Sequence, residues 1–146
     1  RMKRVLVLCI GNSCRSQMAE GYLQFYGEGK AEYYSAGLYD YGINDNAVAV
    51  MAEDSIDISC QTSKTVEYFK DQHFDYILSV CNEKSLEIPH YVTADQYFNY
   101  DVPDPANFVG SEENVKEQFR TVRELLKTHM LKFIGKELTE RQALVA

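Results

Sequence analysis

Val5-Leu6-Val7-Leu8-Cys9-Ile10-Gly11-Asn12-Ser13-Cys14-Arg15-Ser16 passes from an unbroken aliphatic run into a short polar loop that opens on a cysteine and closes on an arginine. A run of this kind, without polar alternation, is the pattern of a strand buried on both faces of a parallel sheet. The helical pattern of Gln17-Met18-Ala19-Glu20-Gly21-Tyr22-Leu23 starts near Ser16. The amides in between can therefore curl into an anion-binding nest at a helix N-terminus. The nucleophilic form of cysteine is the thiolate, which nearby cations and amide dipoles stabilise, and this spacing supplies both to Cys9. Arg15 adds a planar, permanently charged fork suited to two oxygens of a tetrahedral oxyanion, and Gly11 is expected to provide the positive φ of a tight cradle. The ligand expected for the loop Ile10, Gly11, Asn12, Ser13, Cys14 and Arg15 is phosphate or its mimic arsenate.

The bulk properties bound what surrounds that loop. With 146 residues, 45% hydrophobic and 25% charged, the chain is expected to form a single soluble domain over residues 1–146. A formal charge of −7 with no basic stripe argues against nucleic-acid binding, so the anion site has to be local. No apolar run approaches the roughly 20 residues that span a bilayer, and Arg1-Met2-Lys3-Arg4 leads directly into a strand; no membrane association and a cytoplasmic location are expected. In such a compartment the four cysteines form no disulfide framework. Their spacing lacks metal-site pairs and His73, His90 and His129 are scattered, so neither a metal nor another cofactor is expected.

Taken in order, Arg4 to Cys9 reads as the first strand and Ser16 to Tyr26 as a helix with Met18, Ala19, Tyr22, Leu23 and Tyr26 on one face. Ala31 to Ala36 is a second strand, followed by a helix near Asn44 to Glu53, an irregular stretch, and a short helix around Lys64 to Phe69. Asp75 to Cys81 is the third strand and Val92 to Tyr97 a weaker fourth. Two prolines, Pro103 and Pro105, keep the acidic stretch Asn99 to Asn107 out of helix and central strand. The last helix runs from about Ser111 to Ile134 on an apolar face of Val115, Phe119, Val122, Leu126, Met130 and Phe133, and Glu137 to Ala146 is expected to fray. This alternation predicts an α/β fold, a three-layer open sheet of four parallel strands with helices on both faces. Ligands of such sheets bind beyond the carboxyl ends of the strands. There Cys9, Cys81 and the acidic loop are expected to meet.

Cysteine, five residues, arginine and serine form the loop of the cysteine-dependent phosphatases. The longer run Cys9-Ile10-Gly11-Asn12-Ser13-Cys14-Arg15-Ser16-Gln17-Met18-Ala19-Glu20-Gly21 resembles the thioredoxin-coupled arsenate reductases, which share the low-molecular-weight protein tyrosine phosphatase fold. The resemblance covers almost the whole chain, including Tyr34-Ser35-Ala36-Gly37, Asp57-Ile58-Ser59, Asp104-Pro105-Ala106 and Phe119-Arg120-Thr121-Val122-Arg123.

The resemblance implies that Cys9 is the nucleophile and that Asp104, of the Asp-Pro pair after the fourth strand, is the general acid that protonates the departing oxygen. Ser16 can steady the sulfur by hydrogen bonding, cap the first helix, or do both. Asn12 resembles the residue that fixes the loop through its side chain. Cys81 separates the two activities of the fold: reduction of arsenate takes two electrons, which two thiols deliver on closing a disulfide, whereas a phosphatase needs no second thiol. Phosphatases of this fold commonly carry methionine at the position of Cys81.

Three departures accompany the match. The third cysteine of the thioredoxin-coupled pattern is absent from Asn82 to Tyr91, and nothing in the sequence places Cys60 near Cys81. Lys64 stands where some relatives hold an acidic ligand for potassium together with the equivalents of Asn12, Glu20 and Ser35, and an ammonium there can replace the cation's charge. Ala106 follows the Asp-Pro pair where phosphatases normally place an aromatic residue, which leaves Tyr39, Tyr41 and Phe108 as alternative walls. The expected activity is arsenate reduction in the cytoplasm with a thiol reductant, either thioredoxin or a low-molecular-weight thiol. The alternatives are a tyrosine phosphatase working through a phosphocysteine and a noncatalytic anion-binding module.

Overall fold

The computed structural model describes residues 1–83 and 86–139. The aliphatic run forms β1 (Lys3–Cys9), followed by α1 (Arg15–Tyr26), β2 (Ala31–Gly37), α2 (Asp45–Glu53), a 3₁₀ turn (Val66–Phe69), β3 (His73–Ser79), β4 (Thr93–Asn99), a second 3₁₀ turn (Pro105–Asn107) and α3 (Glu112–Phe133). All strand pairs are parallel, in the order β2-β1-β3-β4. β1 and β3 are the inner strands, which is why they carry the purest apolar runs, while β4 is an edge strand with mostly exposed residues.

The sheet's two faces are covered unequally. On one, Val5, Val7, Tyr76 and Leu78 pack against Met18 and Tyr22 of α1, Val50 and Met51 of α2, and Phe119, Val122, Leu126, Met130 and Phe133 of α3. On the other, Leu6, Leu8, Phe74 and Ile77 meet Val66 and Phe69 of the first 3₁₀ turn together with Val92. The expected parallel sheet is therefore present, with its α-helices on one side and the short 3₁₀ helix on the other. The connection from β3 to β4 contributes no helix among the described residues.

Several boundaries differ from the sequence reading by one or two residues, β4 for instance running to Asn99 instead of Tyr97, and three differences have a clear physical cause. α1 starts at Arg15 and is buried through Leu23, polar Gln17 and Glu20 included, because it is enclosed by the sheet, α2 and α3. β3 stops at Ser79, two residues before Cys81: β1 has by then turned into its loop, and the Val80 amide makes a last bond to the Leu8 carbonyl. Beyond α3, Ile134–Leu138 forms a π-helical turn that buries Ile134 and Leu138, so the first residues of the stretch expected to fray are still ordered, with Leu138 packed. Residues 140–146 lie outside the described residues.

The order β2-β1-β3-β4 reverses direction between β1 and β3, which opens a crevice at the carboxyl ends of those two strands. Cys9 is the last residue of β1, and Cys81 lies two residues past β3.

Candidate active site

The loop from Ile10 to Cys14 is held from outside by its carbonyls. Those of Ile10, Gly11 and Ser13 accept the amides of Tyr39, Tyr41 and Asn44, and that of Asn12 accepts Gln17 Nε2 at 3.0 Å. The amides of Gly11 through Arg15 donate to no group of the described residues. With every carbonyl turned away and amides left over at the start of α1, the loop is a preformed set of donors for an anion.

Asn12 sits under this loop as its keystone. Fully buried, its Nδ2 donates to Ser16 Oγ at 2.7 Å and Ser35 Oγ at 3.0 Å, and its Oδ1 accepts the Lys64 amide at 2.9 Å. Asn12 also takes the left-handed backbone conformation, with φ of 48°. This corrects the expectation for Gly11, which has no positive φ: a Cβ there would collide with the Tyr41 ring, so glycine is needed for close approach. Gly37 plays the same part behind the loop, where a Cβ would press on the Asn12 amide and the Ile10 carbonyl. Replacing Asn12 by alanine takes one hydrogen bond each from Ser16, Ser35 and the Lys64 amide and leaves alanine in a left-handed conformation. We expect a loss of roughly 2–4 kcal/mol in urea denaturation. A loss under about 1 kcal/mol would show that the loop does not depend on this residue.

Ser16 lies in the first turn of α1, and its hydroxyl is used by Cys9 Sγ at 2.9 Å and Asn12 rather than by the helix end. Of its two expected roles, the contact with sulfur is present and the cap is not. Ser35 donates to Glu20 Oε1 at 2.5 Å, which extends the network inward. Lys64 Nζ donates to the Thr62 carbonyl at 3.0 Å; burial lowers its ammonium below the usual lysine range, while the charge of Glu20 works the other way. Among the described residues no group of three or more histidine, cysteine or acidic side chains gathers as metal ligands would.

Arg15 is 3% exposed. Its Nη1 donates to Glu83 Oε1 and to the Val102 carbonyl, both at 2.9 Å, and its Nη2 lies 3.6 Å from Asp104 Oδ2. Burial works against the charge, but the hydrogen bond to Glu83 and the Asp104 carboxylate outweigh it and hold the guanidinium above its ordinary value. Asp104 Oδ1 accepts the Ala106 amide at 3.0 Å, so Pro105 and the 3₁₀ turn fix the carboxyl beside the loop. Cys9, Ile10, Gly11, Ser13, Cys14, Arg15, Tyr41, Asp104 and Ala106 line one cavity of about 110 Å³.

The other thiols differ among themselves. Burial and then the Asp104 charge push Cys14 up to about 12. Cys81 is 3% exposed and pushed by burial up to about 11, with Arg15 pulling down and Glu83 adding to the rise. It shares the core with Cys9 but does not line the cavity. Cys60 is exposed and belongs to neither the cavity nor that core. Tyr39 and Tyr41 stack at 5.5 Å in the open, with Tyr41 on the cavity rim. The sequence reading missed Glu83 and the glutamine pair in which Gln61 Nε2 donates to Gln17 Oε1 at 2.8 Å. Both pairings link segments remote in the chain, and no local pattern announces them.

The profile of the low molecular weight phosphotyrosine protein phosphatases matches residues 4–144. The chain belongs to that family. Within this phosphatase family, it is 37% identical to a glutaredoxin arsenate reductase of Synechocystis sp., over 92% of this chain and 98% of that protein. It is 38% identical to an arsenate reductase of Halalkalibacterium halodurans, over 84% and 88%. A solved arsenate reductase in its phosphate-binding state superposes with a TM-score of 0.81 at 36% identity, covering 94% of this chain and all of that one (100%). Family membership thus includes both activities of the fold, and this chain's relatives here are reductases.

Proposed function

We propose that this protein is an arsenate reductase in which Cys9 is the nucleophile and Cys81 the resolving thiol. The observation that carries the reading is a second cysteine just past β3, in the same core as Cys9 and within the field of Arg15. The loop amides and Arg15 hold arsenate, and Ser16 stabilises the Cys9 thiolate. Cys9 sulfur forms a bond to arsenic and displaces one arsenate hydroxyl, which takes a proton from the Asp104 carboxyl and leaves as water. Cys81 sulfur, as thiolate, then attacks Cys9 sulfur. The sulfur–arsenic bond breaks, its electron pair stays on arsenic, and arsenite leaves with a Cys9–Cys81 disulfide behind it. An external dithiol, either a thioredoxin-like or glutaredoxin-like protein or a small thiol, returns both sulfurs to the reduced state. All four cysteines are free and no described helix is long and apolar enough to cross a membrane. The cytoplasm, where thiols stay reduced, suits this chemistry.

A phosphatase reading rests on the same Cys9, Arg15 and Asp104, with water hydrolysing a phosphocysteine. The exposed Tyr39–Tyr41 stack at the rim favours it, as a surface for an aryl ring. Cys81 would then have no part in the reaction. Arsenate-dependent reductant consumption, measured beside aryl phosphate hydrolysis, separates the two: no arsenate turnover with several thiol donors would overturn the reductase.

Asp104→Asn removes the proton donor and keeps the shape. We expect turnover to fall by roughly 10²–10⁴, least with aryl phosphates whose leaving groups need no proton. An equal loss across leaving groups would assign Asp104 a purely structural part.

A further inference from the structure

Glu83 is the acidic partner of Arg15 that the mechanism above does not use. Its Oε1 accepts Arg15 Nη1 at 2.9 Å, while its Oε2 is buried without a hydrogen-bond partner among the described residues. A half-satisfied buried carboxylate forfeits much of what the ion pair gains. The Glu83 side chain is also 27% exposed, against 3% for Arg15, so its route to water is open. The backbone offers the second link: Glu83 is only two residues past Cys81, so its grip on Arg15 also tethers the stretch that carries that thiol. One residue therefore holds the guanidinium that must bind the oxyanion and also the segment that carries the second thiol, which lies off the cavity wall.

An oxyanion in the cavity adds negative charge beside a guanidinium already shared by Glu83 and Asp104. Asp104 is fixed by the Ala106 amide, whereas the second oxygen of Glu83 has no hydrogen-bond partner among the described residues. Like charges crowded on one cation repel, and the member with the weakest remaining attachment yields.

We propose that Glu83 is a displaceable counter-ion of Arg15, which the bound oxyanion expels toward solvent, releasing the 80–83 segment so that Cys81 can reach Cys9. Glu83 touches no reacting atom and is a positioning residue. Its departure also removes a negative charge from the neighbourhood of Cys81, which eases formation of the attacking thiolate. The competition for Arg15 applies to any tetrahedral oxyanion; only the use of the freed thiol rests on the reductase reading.

Two measurements with inorganic phosphate test this. In calorimetric titration at fixed ionic strength, Glu83→Gln, which keeps size and hydrogen bonding but not charge, is expected to bind phosphate about threefold to tenfold more tightly than wild type. In peptide-resolved alkylation of wild type, saturating phosphate is expected to speed modification of Cys81 at least about threefold while protecting Cys9. In Glu83→Gln, Cys81 should react quickly from the start, and phosphate should change its rate by less than about twofold. Unchanged or weaker phosphate binding in Glu83→Gln would overturn the proposal. So would a wild-type Cys81 that phosphate slows or leaves unaffected, a result that requires no variant to fold. Neither readout uses arsenate, so a wild type unable to reduce arsenate would count against the activity and not against the counter-ion.

Discussion

Cys9→Ser should bring arsenate reduction and aryl phosphate hydrolysis alike to the limit of detection while inorganic phosphate still binds within a few-fold of wild type. Binding is assigned to groups the substitution leaves in place: the loop amides, whose carbonyls are tied outward by Tyr39, Tyr41 and Asn44, and the buried guanidinium of Arg15. The Asn12, Ser16 and Ser35 hydrogen bonds that hold the loop do not run through the sulfur. Chemistry has no such reserve. A neutral serine hydroxyl is a far weaker nucleophile than a thiolate, its hydrogen-bond partner here is the Ser16 hydroxyl, and serine oxygen cannot close a disulfide. Calorimetry and a coupled turnover assay on one preparation give both numbers. Turnover within tenfold of wild type would remove Cys9 from the mechanism, and loss of phosphate binding would mean that the loop needs the sulfur to keep its shape.

What the sequence revealed about this site was whatever is local in the chain. β1, the loop and α1 occupy consecutive residues, so an aliphatic run, a polar turn with glycine and a helical pattern were enough to place Cys9, Arg15 and the anion cradle. Asp104 was legible through the resemblance, whose Asp-Pro pair after the fourth strand matches Asp104-Pro105; the prolines by themselves told only that the segment is neither helix nor central strand. The backbone roles within the loop were exchanged, however. Asn12 takes the positive φ assigned to Gly11, because its side chain has three partners that hold it there, and Gly11 is small on account of Tyr41. Neither partner set is visible from the loop itself: Ser35 and Lys64 come from other elements.

Glu83 shows the same limit more sharply. In the chain it is an acidic residue in a polar stretch after a strand, indistinguishable from a solvated one. Only the sheet order, which sets β3 beside β1, brings it to an arginine 68 residues away. The end of β3 was misplaced for a related reason. Val80 and Cys81 continue the apolar run, but a strand lasts only as long as its neighbour, and β1 has left for the loop.

Cys81→Ser should convert a catalyst into a reagent. With Cys9, Arg15 and Asp104 intact, arsenate still adds to Cys9, but no second sulfur remains to draw the adduct apart, so arsenite release and reductant consumption should cease. Aryl phosphate hydrolysis, if the wild type shows any, should persist, because water completes that reaction. The serine is nearly isosteric at a buried site, so loss of turnover without loss of phosphate binding is the signature of missing chemistry. Cys14 is the competing thiol. It lies on the cavity wall, nearer to Cys9 in sequence, yet burial and the Asp104 carboxylate raise it to about 12, and the loop that wraps the anion fixes its position. Cys14→Ser is therefore expected to keep at least about half of the arsenate turnover, and mass spectrometry of wild type treated with arsenate and no reductant should find Cys9 joined to Cys81. A disulfide needs α-carbons within about 7 Å. Cys9 directly follows Leu8, Cys81 lies two residues past the Ser79 that pairs with Leu8, and both share one core, so trapping that bond would assign the resolving role to Cys81. Full arsenate turnover in Cys81→Ser, or a trapped Cys9–Cys14 bond alone, would transfer the resolving role to Cys14.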